Sequence, residues 1–290
     1  AAPDFGRNNN FSLQEASLFY AGKVVSELGA FAQATYASAD DRFAWDNVDL
    51  RYAHTFDLDG TPLIAGLTAN NSPTVQDVWN TTPVWGFPYF TSELAPGPSA
   101  VTLIEDGLAQ KVGGMGGYVF WNDMLYAELS GYASLSRSAQ TSLGIDPGGR
   151  TISGVAPYWR LAIEPTIGPH NFEVGTFGLS AELYPEDLRS GGTDRITDVG
   201  FDLQYQYNNG NHDLTAQFAW IREMQNLDAS QALGLTANSE GTLDSLHAKV
   251  SYFYNHTYGG SLGLFSVSGK ADNVLFAPNP VDGKIGRAHV

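Results

Sequence analysis

TDVGFDLQYQYNNGNHDLTAQFAWI, residues 197–221, is the stretch whose reading decides the fold. Val199, Phe201, Leu203, Tyr205 and Tyr207 share one parity, while Gly200, Asp202, Gln204 and Gln206 share the other, so an extended chain here has one apolar and one polar face. Asn208, Asn209, Gly210 and Asn211 follow, residue types that tolerate the positive φ of a tight reversal. The pattern then returns, with Leu214, Ala216, Phe218 and Trp220 alternating with Thr215, Gln217 and Ala219. Each arm runs to about ten residues, longer than the roughly 5–6 of a globular strand and close to the roughly 9–11 that cross a bilayer at a tilt. The expectation is a membrane-length β-hairpin.

Working outward, the same design recurs. Residues 14–24 and 28–37 flank a turn at Ser26-Glu27, and Val48, Leu50 and Tyr52 lead through a turn at residues 57–60 to Leu63, Ala65 and Leu67. Asn122-Asp123 joins residues 116–121 to 124–132, where Leu125, Ala127 and Leu129 oppose Tyr126, Glu128 and Ser130. Trp159, Leu161 and Ile163 alternate with Arg160 and Glu164 before a turn at residues 168–171. The return arm changes parity between Val174 and Phe177, which predicts a β-bulge at Gly175-Thr176. A last pair sets Leu246, Ala248, Val250, Tyr252 and Tyr254 against His247, Lys249 and Ser251, turning near residues 255–259.

The connections between these hairpins are long: residues 69–113, 133–156, 185–196, 222–243 and 270 onward, with only 38–42 short. Short turns on one rim and long loops on the other are the habit of an outer-membrane barrel, whose short turns face the periplasm. Tyr205, Tyr207, Tyr252, Tyr254, Tyr258 and Trp121 cluster beside the short turns, where an interfacial aromatic girdle would lie. The fold expected is all-β, a transmembrane antiparallel up-and-down barrel with about twelve strands here and about sixteen in a longer parent. Residues 1–283 form that single, incomplete domain, and residues 284–290 (KIGRAHV) read as a non-native sequencing-adapter tail.

Composition narrows the function. The chain has 31 acidic and 15 basic residues, a formal charge of −16, which speaks against nucleic-acid partners and against docking to anionic lipid through a basic patch. With no cysteine, these residues hold no thiolate metal site and no CxxCH haem attachment. No apolar run reaches the roughly 18 residues of a helical membrane span, a test that alternating strands do not meet even when they cross. The histidines lack HxH or HExxH spacing, so no metal site is expected.

Polar-face residues supply the candidate pore lining: Asp49, Arg51, Glu128, Arg160, Glu164, Asp202, Gln204, His247 and Lys249. Mixed charges of this kind suit a watery lumen that sorts solutes by charge, whereas paired carboxylates could also serve a hydrolase. The lining reading is preferred and no enzyme is expected. The loop at residues 69–113 is rich in proline and aromatics, hence stiff, and either folds inward as a constriction or caps the rim. Asp77, Trp79, Trp85, Glu93, Glu105 and Asp106 are its candidate constriction residues.

Several strings carry a resemblance: SLFYAG at 17–22, DNVDLRY at 46–52, NNSPTVQDVWNTTPVWGFP at 70–88, GVAPYWR at 154–160, EVGTFGL at 173–179 and TDRITDVG at 193–200. Together they resemble a proteobacterial family of porin-like outer-membrane proteins usually labelled cytochrome c proteins, in which a short haem-bearing N-terminal segment precedes the barrel. The resemblance implies a channel for small solutes in the outer membrane of a Gram-negative bacterium, in contact with outer-membrane lipid. It leaves open an electron conduit with haem c on a further N-terminal segment and periplasmic electron carriers as partners. A soluble secreted β-sandwich module is the remaining alternative, and no oligomeric state is read from the sequence.

Overall fold

The computed structural model describes residues 15–37, 41–73, 100–108, 110–277 and 284–289. Fifteen strands make one antiparallel sheet: β1 Glu15–Val25, β2 Leu28–Ala37, β3 Arg42–Leu58, β4 Thr61–Asn70, β5 Val112–Trp121, β6 Leu125–Ser134, β7 Thr151–Ile152, β8 Ala156–Ile163, β9 Thr166–Ile167, β10 His170–Tyr184, β11 Asp194–Asn208, β12 His212–Asn226, β13 Glu240–Tyr254, β14 Tyr258–Gly269 and β15 Lys284–His289. Each strand pairs with its neighbours in chain order, an up-and-down meander, and the two-residue β7 and β9 simply extend the β8 ribbon against β10. Counted as ribbons these are thirteen, in line with the expected count of about twelve. Several strands also run further than their alternation shows: β12 continues to Asn226 and β13 begins at Glu240, inside what reads as loop.

The short turns follow from their residues. Asp59-Gly60, Asn122-Asp123 and Asn255-His256 each place two consecutive residues at positive φ, the reversal whose twist matches that of the flanking strands. Asp57 Oδ1 further accepts the N–H of Gly60 at 2.6 Å. Residues 197–221 form the hairpin that their pattern predicts, with Asp202 opposite Ala219 and Tyr207 opposite Leu214.

The faces are inverted relative to a soluble protein. Val199, Phe201 and Leu203 lie on the open side, as do Leu50, Leu129, Leu161 and Leu262, whereas Asp202, Arg160, Glu173 and Asp198 are buried. Water would penalise such an arrangement on both counts, by leaving apolar side chains exposed and charges enclosed. A bilayer reverses the first penalty, and an inner face of mixed charge and hydrogen bonds meets the second. This is an all-β transmembrane barrel wall, polar inside and apolar outside.

The predicted bulge at Gly175-Thr176 is absent. Val174, Gly175, Thr176 and Phe177 face Ile163, Ala162, Leu161 and Arg160 in turn, and their register against β11 is equally unbroken. The irregularities sit on the partner ribbon: Pro165, which lacks an N–H, separates β8 from β9, and two extra residues are taken up between Tyr158 and Ile152 while β10 advances from Leu179 to Leu183. Phe177, Leu179, Ala181 and Leu183 thus point inward without any slip. They belong to an internal apolar cluster with Tyr132, Tyr158, Ile196 and Ile221, packed on Leu103, Ile104 and Leu108 from the long connection after β4.

That packing shows how far the sheet curls. Residues 100–108 lie inside it, touching strands from β5 to β14, and Ala100 packs on Leu243 and Val267. The connection after β6, containing the short helix α1 Arg137–Ser142, reaches back to β3, where Trp45 N donates to Leu143 O at 3.0 Å and Arg42 Nη1 meets Asp146 Oδ1 at 2.7 Å. No helix among the described residues is long and apolar enough to cross a membrane.

Candidate functional site

The inner face is the candidate site, and period-two alternation is what delivers charged side chains to it from strands far apart in sequence. Its most enclosed group is Arg160 on β8. Arg160 Nη1 and Nη2 donate to Asp202 Oδ1 at 3.0 Å and Oδ2 at 2.7 Å, a two-pronged contact, and Nη2 also donates to Glu173 Oε1 at 2.9 Å. The guanidinium carbon lies 5.7 Å from the centre of the Phe177 ring. Gly175 makes room for this cluster. A Cβ there would stand 2.5 Å from both Asp202 Oδ1 and Glu173 Oε1. Gly200 does the same for Phe177, whose ring occupies the place of a side chain, 2.2 Å from where a Cβ would sit.

A second set lies on β3 to β6. Arg51 Nε donates to Asp49 Oδ2 at 2.7 Å, Thr68 Oγ1 donates to Asp49 Oδ1 at 2.7 Å, and the Arg51 guanidinium sits 5.3 Å above the Tyr118 ring. Glu128 accepts from Tyr126 at 2.5 Å and Ser130 at 2.6 Å, and is the register partner of Arg160. Glu164 is buried at the turn end of β8, its backbone N–H bound to Met124 O at 2.7 Å. Gln217 Nε2 donates to Gln204 Oε1 at 2.6 Å, and Lys249 is half-buried nearby on β13. Arg51, Tyr118, Gln217 and Lys249 keep partial exposure, so solvent reaches the inner face at these positions.

The third set holds residues 100–108 in place. Leu103–Gly107 is one π-helical turn, and the free N–H groups at its start are taken by strand carboxylates: Leu103 N donates to Glu223 Oε2 at 2.5 Å and Ile104 N to Asp198 Oδ2 at 2.7 Å. Asp198 and Glu223 are register partners across β11 and β12. Glu105 turns to β13, 2.6 Å from His247 Nε2, and accepts from Ser245 Oγ at 2.8 Å and Thr102 Oγ1 at 2.8 Å. Burial pushes the Glu105 carboxyl up, but the His247 imidazole and the two hydroxyls outweigh it, leaving the group below its ordinary range. This segment is an inward plug: apolar contacts carry its weight, and carboxylates on two strands fix its backbone.

All nine residues named from the sequence as lining lie on this inner face. Of those named for the constriction, Glu105 is buried within the plug, while Asp77, Trp79, Trp85, Glu93 and the side chain of Asp106 lie outside the described residues. Sequence reasoning passed over Glu173, Asp198 and Glu223. Asp198 shares the parity of Asp202, a signal that was available; Glu173 was hidden by the supposed bulge, and Glu223 by the loop assigned to residues 222–243.

On the outer face, histidines mark the short-turn rim. His170 Nδ1 lies 2.9 Å from Tyr205 Oη and His212 Nδ1 2.7 Å from Tyr252 Oη, within the aromatic belt. No group of three or more His, Cys, Asp and Glu among the described residues could hold a metal ion.

No family model and no curated protein matches this sequence. Among solved structures, the chain is similar to OmpT (in-vitro folded), an outer membrane protein of Vibrio cholerae, at 12% identity and a TM-score of 0.40, over 95% of this chain and 89% of that one. The fold described above rests on the register and the inverted faces.

Proposed function

We propose that this chain is the wall of an outer-membrane channel of a Gram-negative bacterium that passes small solutes through a charged lumen narrowed by residues 100–108. The observation carrying the proposal is the joint inversion of the two faces: large apolar side chains outside, and inside an array of charged groups of which Arg51 and Lys249 keep contact with solvent. A binding module of the sandwich kind would bury its apolar faces between two sheets, whereas here they point outward. The strings that resemble the porin-like family favour the same reading. Outer-membrane lipid is then the partner of the outer face, and the histidine and tyrosine belt sits at the periplasmic headgroup level.

Reconstitution is the test. The purified chain should require detergent, migrate on gels with heat-modifiable mobility, and admit sugars of graded size into liposomes. A protein that stays monodisperse without detergent would remove the membrane reading. A detergent-dependent barrel that leaves liposomes impermeable would remove the channel reading alone.

A further inference from the structure

Resting on the channel reading, we infer that the passage takes cations in preference to anions. The inner side of the arc from β8 to β12, with the plug seated on it, contributes Glu173, Asp194, Asp198, Asp202, Glu223 and Glu105, all buried. The same arc contributes one cation of its own, Arg160, and that guanidinium is already engaged by Glu173 and Asp202. Of the remaining cations on the inner face, Arg51 is set against Asp49 and Lys249 lies half-buried on β13.

Asp198 and Glu223 face each other as register partners, and their hydrogen-bond donors, backbone amides of the plug and the Gln225 side-chain amide, are neutral. Asp198 Oδ1 has no hydrogen-bond donor among the described residues. The pair lies enclosed beneath the plug, so its negative charge acts on the passage as a field. Acidic side chains are also spread along the axis, from Asp194 at the loop end to Glu164 at the turn end, so the field continues through the passage instead of peaking at one ring. In water, one uncompensated unit charge about 10 Å from the axis enriches a monovalent cation roughly twofold and depletes an anion by the same factor.

The experiment is the reversal potential of single channels of the unmodified full chain in planar lipid bilayers, under a KCl gradient at neutral pH. K⁺ should permeate over Cl⁻ by roughly threefold or more. D198N combined with E223Q should bring that ratio towards one, and K249Q, at a half-exposed position outside the carboxylate arc, should raise it. The second variant serves where the first fails to assemble. Conductance steps with a ratio at or below one overturn the cation preference while leaving the channel intact. A protein that inserts yet never conducts removes the channel reading, and the preference with it.

Discussion

Replacing Arg160 by methionine tests the interior where it is most enclosed. The substitution keeps much of the stem but removes the charge that Glu173 and Asp202 face, deleting the three hydrogen bonds at 2.7, 2.9 and 3.0 Å. Two carboxylates with almost no exposure would then stand near each other around Gly175 with no cation on β8. Breaking a buried ion pair by removing one partner costs about 3–5 kcal/mol. Solvent on the Arg51 and Lys249 side can relieve part of that, so the lower end is expected, about 3 kcal/mol. Unfolding in urea from detergent micelles, followed by tryptophan fluorescence and gel mobility, measures the change. The triple variant R160M, E173Q, D202N should recover most of it, since neutral groups in place of a buried ionic cluster are often no less stable. A single variant within about 1 kcal/mol of the parent, or a triple variant as weak as the single, would show that the three groups do not act as one unit.

Other expectations follow from the same geometry. Leu203→Arg should impair assembly into lipid, at about 2–4 kcal/mol for a charge on the lipid face, while Gln204→Arg assembles; equal yields of both in a folding assay would overturn the face assignment. The Glu105 carboxyl is held below its ordinary value of 4.5, so what it adds to plug docking is complete above that value and is lost as pH falls through the depressed one. Amide exchange at residues 102–108 should therefore quicken as the pH is taken below 4.5, and a flat profile would count against the latch. At the loop end, Asp272 accepts from Thr236 Oγ1 at 2.6 Å and from the amides of Ala237, Asn238, Val274 and Leu275. Burial alone would raise its carboxyl, yet these donors hold it well below the usual range, so the clamp is present above pH 3.8 and lost on acidification. Asp272→Ala should cost about 1.5–3 kcal/mol locally and expose those amides to exchange, and protection equal to the parent's would refute the clamp.

What the sequence showed and what it hid divide along a physical line. Alternation in residues 197–221 exposed the hairpin, because a strand between lipid and a polar lumen needs opposite chemistry on its two faces, and that need is local. The short turns were readable for the same reason: Asp59-Gly60 and Asn122-Asp123 hold their positive φ within two residues. Extra length in β12 and β13 was hidden because beyond the lipid band no solvent demands alternation, and Arg222, Glu223 and Gln225 read as loop although their backbones remain in the ladder.

An inward fold was one of two readings of the 69–113 loop, but the plug's contacts were not legible, and they account for the false bulge. Leu103 meets Glu223 across 120 positions and Ile104 meets Asp198 across 94, separations at which no spacing rule applies. Once residues 100–108 occupy the lumen, the inner face above Arg160 must offer apolar contact, so Phe177, Leu179 and Leu183 point inward where a watery lumen would call for polar groups. A parity switch in a barrel strand therefore has two physical origins: a register slip, which moves the backbone, or a change in what the lumen contains, which leaves it straight. The two are separable on this strand. A slip at Gly175-Thr176 would turn Glu173 and Phe177 to opposite faces, whereas one Arg160 guanidinium donates to Glu173 and lies over Phe177. That shared neighbour requires both side chains on the inside, and with them a lumen whose filling changes from charge to hydrocarbon at the level of Arg160.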